Sequence, residues 1–201
     1  DWTDYAPSGL PDFGQQQSSW LTPSTQKWSH DAPVALANIL WWLDSQPEVA
    51  ALAPPDVADQ YPLVQSYGSW DDHSPQNVAP LVSELAGRLA VNESSSGSSF
   101  DQVLAGLRSY LQAKNLREEY SLVWRPAPSF DWVREETRAA RPVLLALGFW
   151  ELQPTGWRRL GGHYVAVAGV SPNAEWIALS DPFRNAAESG WPGQVRPGVD
   201  H

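Results

Sequence analysis

The chain has no cysteine and no methionine. It therefore holds no thiol nucleophile, and, with eighteen prolines, its want of oxidisable side chains fits an oxidising or hot environment. Positive charge is also scarce: 13 Lys and Arg stand against 23 Asp and Glu, a formal net charge of −10. That balance excludes nucleic acid as a main partner, because phosphates need lysine and arginine facing them. It equally disfavours docking on an anionic membrane surface. No apolar run reaches the roughly 18 residues of a membrane span, and no signal-peptide pattern is seen. The first residue is Asp1, which reads as a processed or partial chain and points to an extracellular, periplasmic or cell-surface location.

What is present suits one globular domain. The 201 residues are 42% hydrophobic and 18% charged, enough for a sizeable core under a sparsely charged surface. Twelve tryptophans are many for this length. Each brings a large apolar area and one N–H that needs a partner, which suits both cores and interfaces.

Residues 1–28 lack periodicity and read as an irregular N-terminal arm. Residues 32–44 read as a buried helix, apolar nearly all round, with Pro33 in the first turn and Asn38 as the one polar residue inside the apolar run. "PEVAALAPPD" reads as a short helix or turn. "HSPQNVAPLVSELAGRLAV" is a second helix, with Ser74 as its cap and Pro75 at its first position, unless Pro80 kinks it or delays its start. "NESSSGSS" reads as a flexible loop, and "SFDQVLAGLRSYLQAKN" as a third helix. "EYSLVWR" reads as a strand and "SFDWVREETRAAR" as a short amphipathic helix. The period then changes, and "PVLLALGFW", "HYVAVAGV" and "EWIALSD" read as three strands. Helices lead and strands follow, without βαβ alternation or internal repeat. This order predicts an α+β fold, N-terminal helices followed by an antiparallel sheet. The domain is expected over 29–185, with 186–201 as a C-terminal tail or linker.

Taken singly, the polar residues near these elements have ordinary uses. Asp31, ahead of the first helix, reads as an N-cap. His163 in an apolar strand reads as a satisfied core histidine, and Asp181 before Pro182 as a turn residue. The "WW" pair at 41 and 42 reads as core. Asp71, Asp72 and His73 are adjacent, so they rarely converge on one ion and match no zinc spacing. No cofactor or metal is expected.

Taken together, the segments say more. "LPDFGQQQSSW", "WSHDAPVALANILWWLDS", "WDDHSPQNVAPLVSELA", "VLLALGFW", "GGHYVAVAGV" and "SDPF" occur in an order that resembles the C39-like group of papain-fold cysteine peptidases. The likeness covers most of residues 10–185 and implies a papain-like fold. It also implies that His163 is the base, that Asp181 orients it, and that Gln15 is the oxyanion glutamine, with Gln26 a weaker match. Asp31 falls where that family carries its cysteine nucleophile.

The departure at Asp31 decides the reading. A cysteine at a helix N-terminus gains thiolate character from the helix dipole and a nearby histidine. A carboxylate is also stabilised there, by roughly 0.3–1 kcal/mol when exposed, yet it is a poor nucleophile toward amides. It leaves the tetrahedral adduct more readily than an amine does. Beside His163 it would form an ion pair, raise the imidazole pKa and spoil the base near neutral pH. The favoured expectation is a pseudo-peptidase that binds protein or peptide, or serves as a subunit of an extracytoplasmic assembly. The alternative is a working hydrolase using Asp31, or a substitute nucleophile, with His163. Ser29 is such a substitute only if it swings into the site, and His30 reads as a solvent-facing loop residue. A third reading, a cysteine exchanged by design, is weaker because Ala or Ser is the usual replacement.

Overall fold

The helix α1 (Asp31–Ser45) runs through the centre of the molecule, and its sequence explains why. Every residue from Ala32 to Leu40 is buried, as is Trp42. A helix apolar on all sides needs neighbours on all sides. One side packs with Leu81, Val82, Leu85, Val103, Tyr110 and Leu111. The other side, through Ile39 and Trp42, packs with Leu10, Val133, Val143 and the buried end of a strand at Ala166–Val170. Pro33 is the third residue of the helix, where a missing N–H leaves no acceptor unsatisfied. The computed structural model describes residues 3–4, 10–17, 20–22, 27–46, 61–67, 75–91, 97–171 and 176–183.

Three further helices follow among the described residues. A 3-10 turn at Pro75–Asn77 leads into α2 (Val78–Arg88), so Pro80 sits in the first turn and delays the helix rather than kinking it. Leu81, Leu85 and Leu89 are fully buried, as their spacing predicts. α3 (Phe100–Ala113) begins at Ser99, whose hydroxyl accepts the Gln102 N–H while the Gln102 side chain accepts the Ser99 N–H. α4 (Phe130–Arg138) is capped by Ser129. Gly106 of α3 lies so close to α2 that a Cβ would stand 2.8 Å from the Arg88 carbonyl oxygen, so only glycine fits there.

The long strands come last. β4 (Leu144–Gln153) and β5 (Gly156–Val170) form a long antiparallel hairpin, in register from Leu144 opposite Ala166 to Gln153 opposite Gly156. β6 (Ile177–Ser180) pairs antiparallel with the buried end of β5. The N-terminal β1 (Thr3–Asp4) also pairs with β5, at Val170 and Gly169. A small ladder joins β2 (Leu21–Thr22) and β3 (Lys27–Trp28). The fold is α+β, helices before an antiparallel sheet, as the order of periodicities predicts. Among the described residues no helix is long and apolar enough to cross a membrane.

The expected strand over "EYSLVWR" does not form. Residues 121–128 join no ladder, bending at 126–127 where Ala127 has a φ of +44°, and Val123 and Trp124 are exposed. β-branched and aromatic residues favour a strand only where an edge receives them. Pro126 and Pro128 also remove two donors from this stretch. "PEVAALAPPD", Ser74, Asp71 to His73, Gln26 and the tail at 186–201 lie outside the described residues.

The polar residue within α1 has a specific task. Asn38 is completely buried. Its Oδ1 accepts the Phe13 N–H at 2.9 Å, and its Nδ2 donates to Ser180 Oγ at 2.8 Å. Ser180 Oγ in turn lies 3.0 Å from the Pro11 carbonyl oxygen and 3.1 Å from Asp12 Oδ1. One amide thus ties the N-terminal segment and the end of β6 to the central helix. Asn38→Leu leaves a main-chain N–H and a hydroxyl without this partner. It is expected to destabilise the fold by about 2–3 kcal/mol, read as a lower midpoint in urea, with Ser180→Ala losing about 1 kcal/mol.

Candidate functional site

Four residues proposed from the motif order meet at the head of α1. Asp31 is the first helical residue rather than the cap: His30 holds the cap position and makes no side-chain capping bond. The Asp31 carboxylate instead turns toward β5. Its Oδ2 accepts the Tyr164 main-chain N–H at 3.1 Å and lies 3.2 Å from His163 Nδ1. On the opposite edge of the ring, His163 Nε2 lies 2.5 Å from Asp181 Oδ1, an oxygen that also accepts the Phe183 N–H at 2.9 Å.

Gln15 completes the group. It is buried, and its Oε1 accepts the His30 N–H at 3.1 Å. Its own N–H donates to the Pro182 carbonyl oxygen at 2.6 Å, fastening the glutamine to the residue after Asp181. With Oε1 so engaged, its Nε2 has no acceptor among the described residues and remains a donor for a guest.

Sequence reasoning missed several supports. His30 is not solvent-facing: it is buried and stacks on Trp20, ring centroids 5.2 Å apart. Gly97, in the serine-rich stretch read as a flexible loop, packs over the site with a φ of +85°, and a Cβ there would stand 3.6 Å from Asp31 Oδ1. A single glycine inside a run of serines was the available signal for such a backbone. The role of Tyr164 is carried by its main chain, which no residue type announces. Ser29 is buried beside the site, but no hydrogen bond among the described residues joins its hydroxyl to His163 or to any other group.

The electrostatics follow from two carboxylates on one imidazole. Burial pushes the His163 pKa down, but its hydrogen bonds to Asp181 and Asp31, with the charges of both, outweigh burial and raise it to about 9. The ring therefore keeps both protons at neutral pH and donates to both sides. The Tyr164 phenol is raised by burial and then by the Asp31 charge. Asp31 and Asp181 bind opposite nitrogens of the ring instead of converging on a point. Among the described residues no three His, Cys, Asp or Glu groups are arranged to hold a metal ion.

No protein-family model, no curated protein and no solved structure matches the chain.

Because the folded pKa of His163 lies above the unfolded value near 6.5, its stabilising effect is full below pH 6.5 and is lost as pH rises toward 9. The side chain is 14% exposed, so solvent screening reduces the effect to roughly 1–2 kcal/mol. Urea unfolding at pH 6.5 and 9.5 is expected to show that loss in the unaltered protein and a much smaller one in His163→Gln. Ser29→Ala removes a buried hydroxyl that satisfies nothing. It is expected to leave stability unchanged or raise it by about 0.5–1 kcal/mol in the same assay.

Proposed function

We propose that this chain is a papain-like domain of the C39-like type that binds peptide segments without cleaving them. The observation that carries the reading is the clamped imidazole: His163 lies between the carboxylates of Asp31 and Asp181, 3.2 Å from one and 2.5 Å from the other. A peptidase needs a neutral imidazole to take a proton from its nucleophile. Here the ring holds its proton to about pH 9, and the group facing Nδ1 is a carboxylate. Such a carboxylate is readily expelled from an amide adduct.

What survives is a binding constellation. Gln15 Oε1 is taken by the His30 N–H, and its Nε2, with no acceptor among the described residues, is suited to a peptide carbonyl. The absence of cysteine and the twelve tryptophans agree with a binding or assembly role outside the cytoplasm. The rival reading, in which Asp31 attacks a substrate, would have to use Oδ1, because Oδ2 already takes two donors.

A paired assay against a mixed peptide library, read by mass spectrometry, tests this. The unaltered protein is expected to cleave nothing. Asp31→Cys is expected to cleave, and to lose that activity when His163→Ala is added. Cleavage by the unaltered protein that disappears in Asp31→Ala would establish the rival hydrolase. Inactivity of both proteins would reduce the constellation to a structural one.

A further inference from the structure

The protein holds a second feature, a cavity of about 340 Å³ between α1, α3, the start of β4, Tyr164 of β5 and the strap at 120–128. Its floor is aliphatic: Leu36, Leu40, Val103 and Leu111 are all almost completely buried. Its mouth is the strap, where Trp124 is 52% exposed. Folded interiors hold few voids larger than a water, and an apolar cavity gives water nothing to bond. This volume falls at the lower end of ligand pockets, about 300–1,000 Å³.

The strap suits entry. Residues 121–128 make no main-chain hydrogen bond among the described residues. Side chains hold it, as where Trp124 packs on Phe100 with ring centroids 3.7 Å apart. Such a segment opens without breaking a ladder.

One charge marks the mouth. Among the described residues Arg125 is the only charged one in the lining. Its guanidinium lies over the Trp132 ring at 5.4 Å and makes no ion pair among the described residues. The nearby Glu136 is already bonded to Arg141 at 2.6 Å. An aliphatic floor below a single exposed cation defines an amphiphile with one anionic end. We propose that the cavity binds a long-chain monocarboxylate, its chain between α1 and α3 and its carboxylate on Arg125. The lining includes none of Asp31, His163 and Asp181, but it does include Tyr164, whose main-chain N–H bonds Asp31; the cavity site stands whether or not the clamped histidine binds peptide.

The test is isothermal titration of the full chain with dodecanoate below its micelle concentration. Saturable one-to-one binding is expected. Arg125→Gln is expected to weaken it roughly two- to fivefold. Dodecanol is expected to bind more weakly than the acid and to be indifferent to Arg125→Gln. Leu104→Trp and Leu107→Phe, each checked for native circular dichroism, fill the cavity and are expected to abolish binding. A readout independent of those two variants is tryptophan fluorescence, which dodecanoate is expected to change in the unaltered protein and to change less in Trp124→Phe. Absence of saturable binding, binding undiminished in a folded filling variant, or a fluorescence response identical in Trp124→Phe would overturn the site. Equal affinity for dodecanol and dodecanoate would overturn the part given to Arg125.

Discussion

The arrangement at the head of α1 depends on one buried amide. Asn38 bonds the main chain at Phe13 with its oxygen and Ser180 with its nitrogen. Gln15 lies two residues beyond Phe13, and Asp181 follows Ser180 directly. Asp31 and Asn38 share the same rigid helix. A single side chain thus sets three of the four site residues relative to one another. A leucine would pack there as readily but would hold neither flanking segment. The second tie, from the Gln15 N–H to the Pro182 carbonyl oxygen, joins the two flanks directly.

Against that frame the charge arrangement is simple. An imidazole flanked by two carboxylates becomes a fixed cation, and the group carries one net negative charge when both acids are ionised. With a cysteine in place of Asp31, one flank would be a titrating thiol, and proton transfer across the ring would be open. With aspartate, the ring is held from both sides and acts as a bridge between α1 and the turn after β6. The positioning network of Asn38, Gln15, Tyr164 and Phe183 does not need a reactive group at residue 31.

Much of this was legible in the sequence, and the exceptions share a cause. The central helix could be read because its apolar residues surround it, and the β4 and β5 strands because their composition changes abruptly. The residues of the site could be read from the order of short motifs, since Asp31, His163, Asp181 and Gln15 do meet. What escaped depends on contacts that residue type does not encode. His30 is buried because Trp20 stacks on it. Asp31 is not a cap because a main-chain N–H of β5 competes for its oxygen. The stretch at 121–128 has strand-forming residues but pairs with no described strand, and Pro126 and Pro128 take two donors from it.

The distances along the chain between these partners bear on how the protein reaches its native state. Asn38 and Ser180 are 142 residues apart, and Asp31 and His163 are 132 apart. Loop-closure entropy must be met before such contacts give any return, so high contact order slows their formation. α1, α2 and α3 can associate through contacts nearer in sequence while Asn38 still lacks Ser180. During synthesis the amide must wait until almost the whole described chain has emerged. The site is therefore a late product of folding, and its integrity reports on the whole domain rather than on any one segment.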